Sequence, residues 1–250
     1  VQGGTQQQIG LPDVYGGSDM ADSSGAIRYV RIEYGGGAVA RENVLGDVFD
    51  LPVSSLTLAA VGRGTTVDHV QSHRSADDGV ELFGGSVGVS NLVLTGSGDD
   101  SLDFDDGWNG SAQFVIIQQY PGNDHSVEGD GDPEEGGVPP ANPILANITV
   151  VSGQDDDPVR FKSDADPDMY NSVIANTEPT QFAFVDGSAV RVDLFGVWAD
   201  GDISDDTNYI VDVNSDVDAR NGFGGSGLVT DTFVDVTYFD GLADGAQVRF

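Results

Sequence analysis

Two stretches of this chain superpose without a gap at an offset of 22 residues, and that repeat limits the fold more than any other feature. The first reads V-D-H-V-Q-S-H-R-S-A-D-D-G-V-E-L-F-G-G from Val67, and the second V-S-N-L-V-L-T-G-S-G-D-D-S-L-D-F-D-D-G from Val89. Asp77 then falls on Asp99, Asp78 on Asp100, Glu81 on Asp103 and Gly85 on Gly107. Apolar positions coincide as well: Val70 with Leu92, Val80 with Leu102, Leu82 with Phe104. The pattern continues at an offset of 25, which sets Phe114 and Ile117 on Val89 and Leu92, and Asp124, Val127 and Glu128 on Asp99, Leu102 and Asp103. Asp156, Val159 and Phe161 begin another copy, with a fainter one at residues 171–184. Residues 29–34 and 56–58 read as earlier copies, and residues 190–195 as a later one.

Each copy holds two short alternating strands separated by a Gly/Asp turn. One such unit cannot bury its apolar line alone, whereas stacked units make a continuous core. The sequence therefore predicts an all-β, right-handed parallel β-helix with coils of about 22–25 residues. Val80, Leu102, Val127, Val159 and Phe182 form one inward column. Glu81, Asp103, Glu128 and Arg160 form an outward column, flanked by Asp105, Asp130 and Lys162 with Phe83 at the top. Neither the L-x-x-L-x-L frame of a leucine-rich horseshoe nor the longer four-strand period of a propeller is present. Residues 1–26 read as an N-terminal segment or cap, truncated upstream, and residues 27–200 as the coils. The acidic, Pro-rich segment 129–143 is expected to be a loop extruded from the solenoid, and residues 201–250 final coils or a C-terminal cap.

The formal net charge is −32, Asp outnumbers Glu about five to one, and Lys162 is the only lysine. Nucleic acid and anionic membrane surfaces are thereby excluded as partners, because phosphate binding needs clustered Lys and Arg. No apolar run is long enough to span a membrane. A high-salt habitat would favour such acidity over a whole surface. Calcium cages and tight turns favour Asp in particular, since its short carboxylate suits both. Cysteine is absent, so disulfides and thiolate metal sites are excluded.

Carboxylates on adjacent coils stand about 4.8 Å apart, and a calcium–oxygen bond is about 2.4 Å long. One calcium ion between two coils can therefore be held by acids from both. The predicted metal residues are Asp77, Asp78, Asp99, Asp100, Asp103 and Asp105. The plainer alternative is that these Asp residues cap turns by accepting backbone N–H groups. The Asp-rich loops at Asp155, Asp164 and Asp130 lack the Gly and distal Glu of an EF-hand. His69 and His73 lie too far apart on a strand to share a metal, and His125 is placed to pair with Asp100. Phe83, Trp108 and Tyr120 are the aromatics expected to be exposed for carbohydrate binding.

The strings S-G-A-I-R-Y-V-R-I-E-Y-G-G-G, G-V-E-L-F-G-G and D-D-S-L-D-F-D-D-G-W-N-G together resemble an uncharacterised family of secreted or lipid-anchored parallel β-helix proteins of aquatic bacteria. The resemblance covers roughly residues 15–120 and implies export and a β-helix, with no activity to carry over. The resulting expectation is an extracellular or cell-surface structural or adhesive solenoid, stabilised by calcium and assembling head-to-tail with copies of itself into a fibre. The alternatives are a module binding a cell-surface or matrix glycan, and a polysaccharide lyase or hydrolase. The last rests on fold analogy, with Arg160 and Lys162 standing beside carboxylates as the candidate basic groups.

Overall fold

A computed structural model describes residues 5–7, 14–42, 48–131, 140–153, 157–176, 180–185, 191–199, 202–205 and 210–216. The chain winds as a right-handed parallel β-helix with two parallel sheets. Among the described residues the narrower sheet stacks seven short strands, including Val80–Phe83, Leu102–Asp105, Val127–Asp130 and Val159–Lys162. The wider sheet stacks longer strands, among them Ala26–Glu33, Thr66–His73, Gly88–Thr95, Ser111–Gln119 and Ile144–Ser152. Asp202–Asp205 and Ile210–Asp216 add to the two sheets in the same parallel sense, so coils continue past residue 200. Two antiparallel hairpins lie outside the stack, Thr5–Gln7 with Val14–Gly16 and Val39–Glu42 with Val48–Leu51.

The predicted columns are the observed register. Val80, Leu102, Val127, Val159 and Phe182 stand on one another, as do Glu81, Asp103, Glu128, Arg160 and Ala183. The inward members Val80, Leu102, Val127 and Val159 are fully buried, as are Leu82, Phe104 and Phe161 two residues on. Burying each such side chain contributes about 1.5–3 kcal/mol, and stacking is the only way a coil this narrow can do it.

Each long strand bends at its middle. Tyr29, His69, Asn91, Phe114 and Asn147 occupy one column, each in the left-handed region with φ between 54° and 58°. The bend shifts the inward alternation, so Val89, Leu92 and Leu94 all point inside. The predicted pairing of Phe114 and Ile117 with Val89 and Leu92 is corrected here. Ala112 stands on Val89 and Val115 on Leu92, an offset of 23. The extra residues of this coil lie in its turns, around Trp108 and residues 120–124, while the strands keep their register.

The segment expected to be a loop from residue 129 also needs correction, because Gly129 and Asp130 belong to the strand Val127–Asp130. Gly129 stands on Phe104, and a Cβ there would sit 2.1 Å from the ring. The absence of a side chain is what lets the Phe104 ring occupy the core. Residues 132–139 of that loop, most of residues 1–13, Asp155 and Asp156, and all of residues 217–250 lie outside the described residues.

Candidate cation groove on the narrow sheet

The outward residues of the short strands line a groove. Glu81, Asp103, Glu128 and Arg160 run along it on successive coils, with Phe83 and Asp105 in one adjoining pair and Asp130 and Lys162 in the next. The turn before each strand adds a second line. Asp78 Oδ1 accepts the backbone N–H of Asp100 at 2.9 Å, and Asp100 Oδ1 accepts that of His125 at 2.8 Å. These two carboxylates thus knit successive coils by the turn-capping role that competes with metal binding, each through one oxygen. The imidazole Nδ1 of His125 also lies 3.1 Å from Asp100 Oδ1, the predicted partner.

The remaining carboxylate oxygens crowd together. Ligand atoms of Asp78, Glu81 and Asp103 all lie within 4.8 Å of one another, as do those of Asp77, Asp78 and Asp99, of Asp99, Asp100 and Asp124, and of Asp100, His125 and Glu128. Five of the six predicted metal residues therefore gather in these groups. Asp105 does not: it accepts the backbone N–H of Asp106 beside Asp130 and Lys162. Glu81, Asp124, Glu128 and His125 join the groups although the expected metal set does not include them. Their signal was present in the same 22-to-25-residue offset that aligned the aspartates.

Burial and mutual repulsion show in the titration of the groove. Burial, then Glu81 and Asp100, raises Asp78 to about 9. Burial raises Glu81 to about 7 and Asp105 to about 8. Asp100 is raised to about 7 by burial, against the His125 bond that favours its charge. Asp103 is pushed well above the usual carboxylate range by burial and then by Asp100, Asp78, Glu128 and Glu81. Its carboxylate accepts no hydrogen bond among the described residues. Burial acts to lower both His125 and Lys162, but their bonds to Asp100 and Glu128 respectively leave both raised.

Ser54 sharpens the point. Its hydroxyl oxygen lies 3.1 Å from Asp78 Oδ2 and 2.6 Å from Glu81 Oε2. A hydroxyl has one proton to donate. With both acids ionised, one contact is a repulsion between oxygens; a proton on one acid, or a cation between them, removes it. At the other end Lys162 Nζ lies 2.8 Å from Glu128 Oε2 and 3.8 Å from Asp130 Oδ2, partly neutralising that half.

The aromatics expected to be exposed are not all so. Trp108 is 0% exposed, with its indole N–H donating to the Val87 carbonyl at 3.1 Å and its ring against Phe104. Phe83 is 7% exposed beneath Tyr15, whose hydroxyl bonds Asp106. Both are packing residues, which corrects that part of the expectation. Tyr120 is half-buried under the Arg74 guanidinium, 5.4 Å from its ring. Trp108 is turned into the core and Phe83 is covered by Tyr15 of the N-terminal segment, and neither is legible in the local sequence.

A family model described as a pectate-lyase-like β-helix domain matches residues 3–239. Comparison with curated proteins and with solved structures gives no match.

Proposed function

Since the chain belongs to the family of pectate-lyase-like β-helix domains, we propose that its narrow sheet holds calcium between coils and that the ion-locked solenoid is an extracellular structural or adhesive scaffold. The observation that carries the reading is the trio Asp78, Glu81 and Asp103, whose ligand oxygens lie within 4.8 Å of one another across successive coils. Two oxygens that far apart can both sit about 2.4 Å from an ion between them. The donors are all carboxylate oxygens, which suit a hard divalent cation over a soft transition metal. A bound ion would replace the proton that these acids otherwise retain, and would tie two coils together.

Calcium titration by calorimetry at neutral pH tests this directly. Saturable binding that Asp103→Asn abolishes is the expected result; heat of dilution alone in the wild type overturns it. The same experiment read by light scattering tests assembly. Calcium-dependent growth supports the fibre form of the scaffold, and a strictly monomeric chain in both conditions removes it.

A second reading, cleavage of a polysaccharide in the same groove, is favoured by Lys162 and Arg160 standing in register beyond the carboxylates. A raised carboxyl such as Asp105 would protonate a leaving oxygen, a second carboxylate of the column would take the proton of the attacking water, and Lys162 and Arg160 would hold the sugar. Release of reducing ends or unsaturated products from neutral or acidic glycans, lost in Lys162→Ala, is the expected result; an inert wild type removes this reading and leaves the first standing.

A further inference from the structure

The bend column of the wide sheet is mostly a column of residues that tolerate the left-handed backbone. Asn91, Asn147 and Asn171 do so readily, because a short amide can bond locally there. Phe114 has no such compensation, yet it holds φ 58° between Asn91 and Asn147. A bulky residue in this conformation is a local strain that the surrounding fold must impose. The amide ladder breaks at this coil. Asn91 Nδ2 turns back to donate to Asp68 Oδ1 at 2.8 Å, and Asn147 Oδ1 turns forward to accept from Asn171 Nδ2 at 2.6 Å. The Phe114 ring, 44% exposed, stands between the two pairs and bonds neither.

A groove of about 450 Å³ opens at the break, within the size range of small-ligand sites. Phe114, Val93 and Ile116 give it an apolar floor, Ile116 being 44% exposed, and His69, Asn91 and Asn147 rim it. The pairs described leave the amide oxygen of Asn91 as an acceptor and the amide N–H groups of Asn147 as donors, one residue on each side of the ring and two coils apart. Among the described residues no carboxylate, Lys or Arg lines the groove itself, and the one carboxylate behind its rim, Asp68, is engaged by His69 at 2.9 Å and Asn91 at 2.8 Å. On a chain of net charge −32 this is a neutral window.

We propose that this groove binds a neutral saccharide. A cation would be drawn to the carboxylates of the other sheet, and a polyanion would be repelled by the field around the window. A purely apolar ligand would leave the amide oxygen of Asn91 and the amide N–H groups of Asn147 without a partner from the ligand. A sugar matches both parts, its C–H face lying on Phe114 and Ile116 and its hydroxyls bonding Asn91, Asn147 and His69. The stacking of coils at about 4.8 Å sets the groove along the solenoid axis, so a linear glycan would lie lengthwise. This site is independent of the cation groove.

The test is titration of the whole chain, in chelator, with cellohexaose, maltohexaose, mannohexaose and polygalacturonate, followed by protein NMR or calorimetry. Binding of one neutral hexaose and not of polygalacturonate is expected. The Phe114→Asn variant is expected to weaken that binding at least tenfold, while its unfolding midpoint stays level or rises because Asn suits the column. Failure of all three neutral hexaoses to bind overturns the proposal, as does preferred binding of polygalacturonate. Unchanged affinity in Phe114→Asn overturns it too, and so does a marked fall in that variant's midpoint, which would make the ring a packing residue.

Discussion

Raising the pH in the absence of divalent cations should destabilise this solenoid. The perturbation is a shift from pH 5 to pH 8 in chelator. A carboxyl whose pKa is higher in the folded chain than in the unfolded chain keeps its proton longer when folded. The folded chain then binds more protons, and stability falls as pH rises between the two values. Glu81 spans 4.5 to about 7, Asp105 3.8 to about 8, and Asp78 3.8 to about 9. Each pH unit of such an interval is worth about 1.4 kcal/mol for one independent group. Glu81 alone thus accounts for roughly 3 kcal/mol. The groups repel one another and partly face water, so their effects do not add in full, and about 3 kcal/mol is taken for the set. In a chain of this size that lowers the unfolding midpoint by roughly 6–12 °C. Far-UV circular dichroism at a series of pH values reads it. Calcium at about a hundredfold over its dissociation constant should restore about 2.7 kcal/mol at pH 8, and Asp103→Asn should flatten the pH slope. A midpoint that is constant or rises from pH 5 to 8 in chelator would refute the reasoning about the groove, whatever calcium does.

Three further outcomes follow from packing and charge. Gly129→Ala places a methyl group against the Phe104 ring and should cost about 1–3 kcal/mol by denaturant unfolding. Trp108→Ala should cost about 3–5 kcal/mol in the same assay and leave affinity for any neutral saccharide unchanged, since the ring is wholly buried. Lys162→Gln removes the cation 2.8 Å from Glu128 and should tighten calcium binding several-fold by calorimetry; weaker binding would mean that Lys162 supports the site.

The register of the narrow sheet is legible in the sequence, because inward Val80, Leu102, Val127 and Val159 repeat together with outward Glu81, Asp103 and Glu128. A period that fixes both faces leaves no freedom to slip. The wide sheet was misread by two residues at Phe114. A left-handed residue in mid-strand breaks the two-residue alternation, and nothing in the composition of Phe114 announces such a backbone. Gly129 reads as loop because its neighbours are acidic and Pro-rich, whereas its reason is the Phe104 ring on the preceding coil. Trp108 and Phe83 were read as exposed because an outward position in a strand or turn is exposed only if no other segment crosses it. Tyr15, far away in sequence, is what crosses Phe83.

The bend column has a consequence for how such a chain tolerates change. From Thr66 to Asn176 strand registry is locked at the bend and along both sheets, so length differences between these coils are confined to the two remaining corners, whereas the later strands slip by one residue between Thr180 and Phe182 and between Phe195 and Trp198. The coil that contains Trp108 is longer than its predecessor in both of them, yet Val115 still stands on Leu92 and Val127 on Leu102. In the wider of these corners the Gln119 side chain braces the turn, its Nε2 donating toward the carbonyls of Asp99, Asp124 and His125 at 2.8–3.3 Å. The molecule therefore behaves as a ruler with elastic corners. Its graduations keep their pitch while the ornament at the corners is free to vary, so new recognition loops can be grafted there without disturbing the scale along which the faces are read.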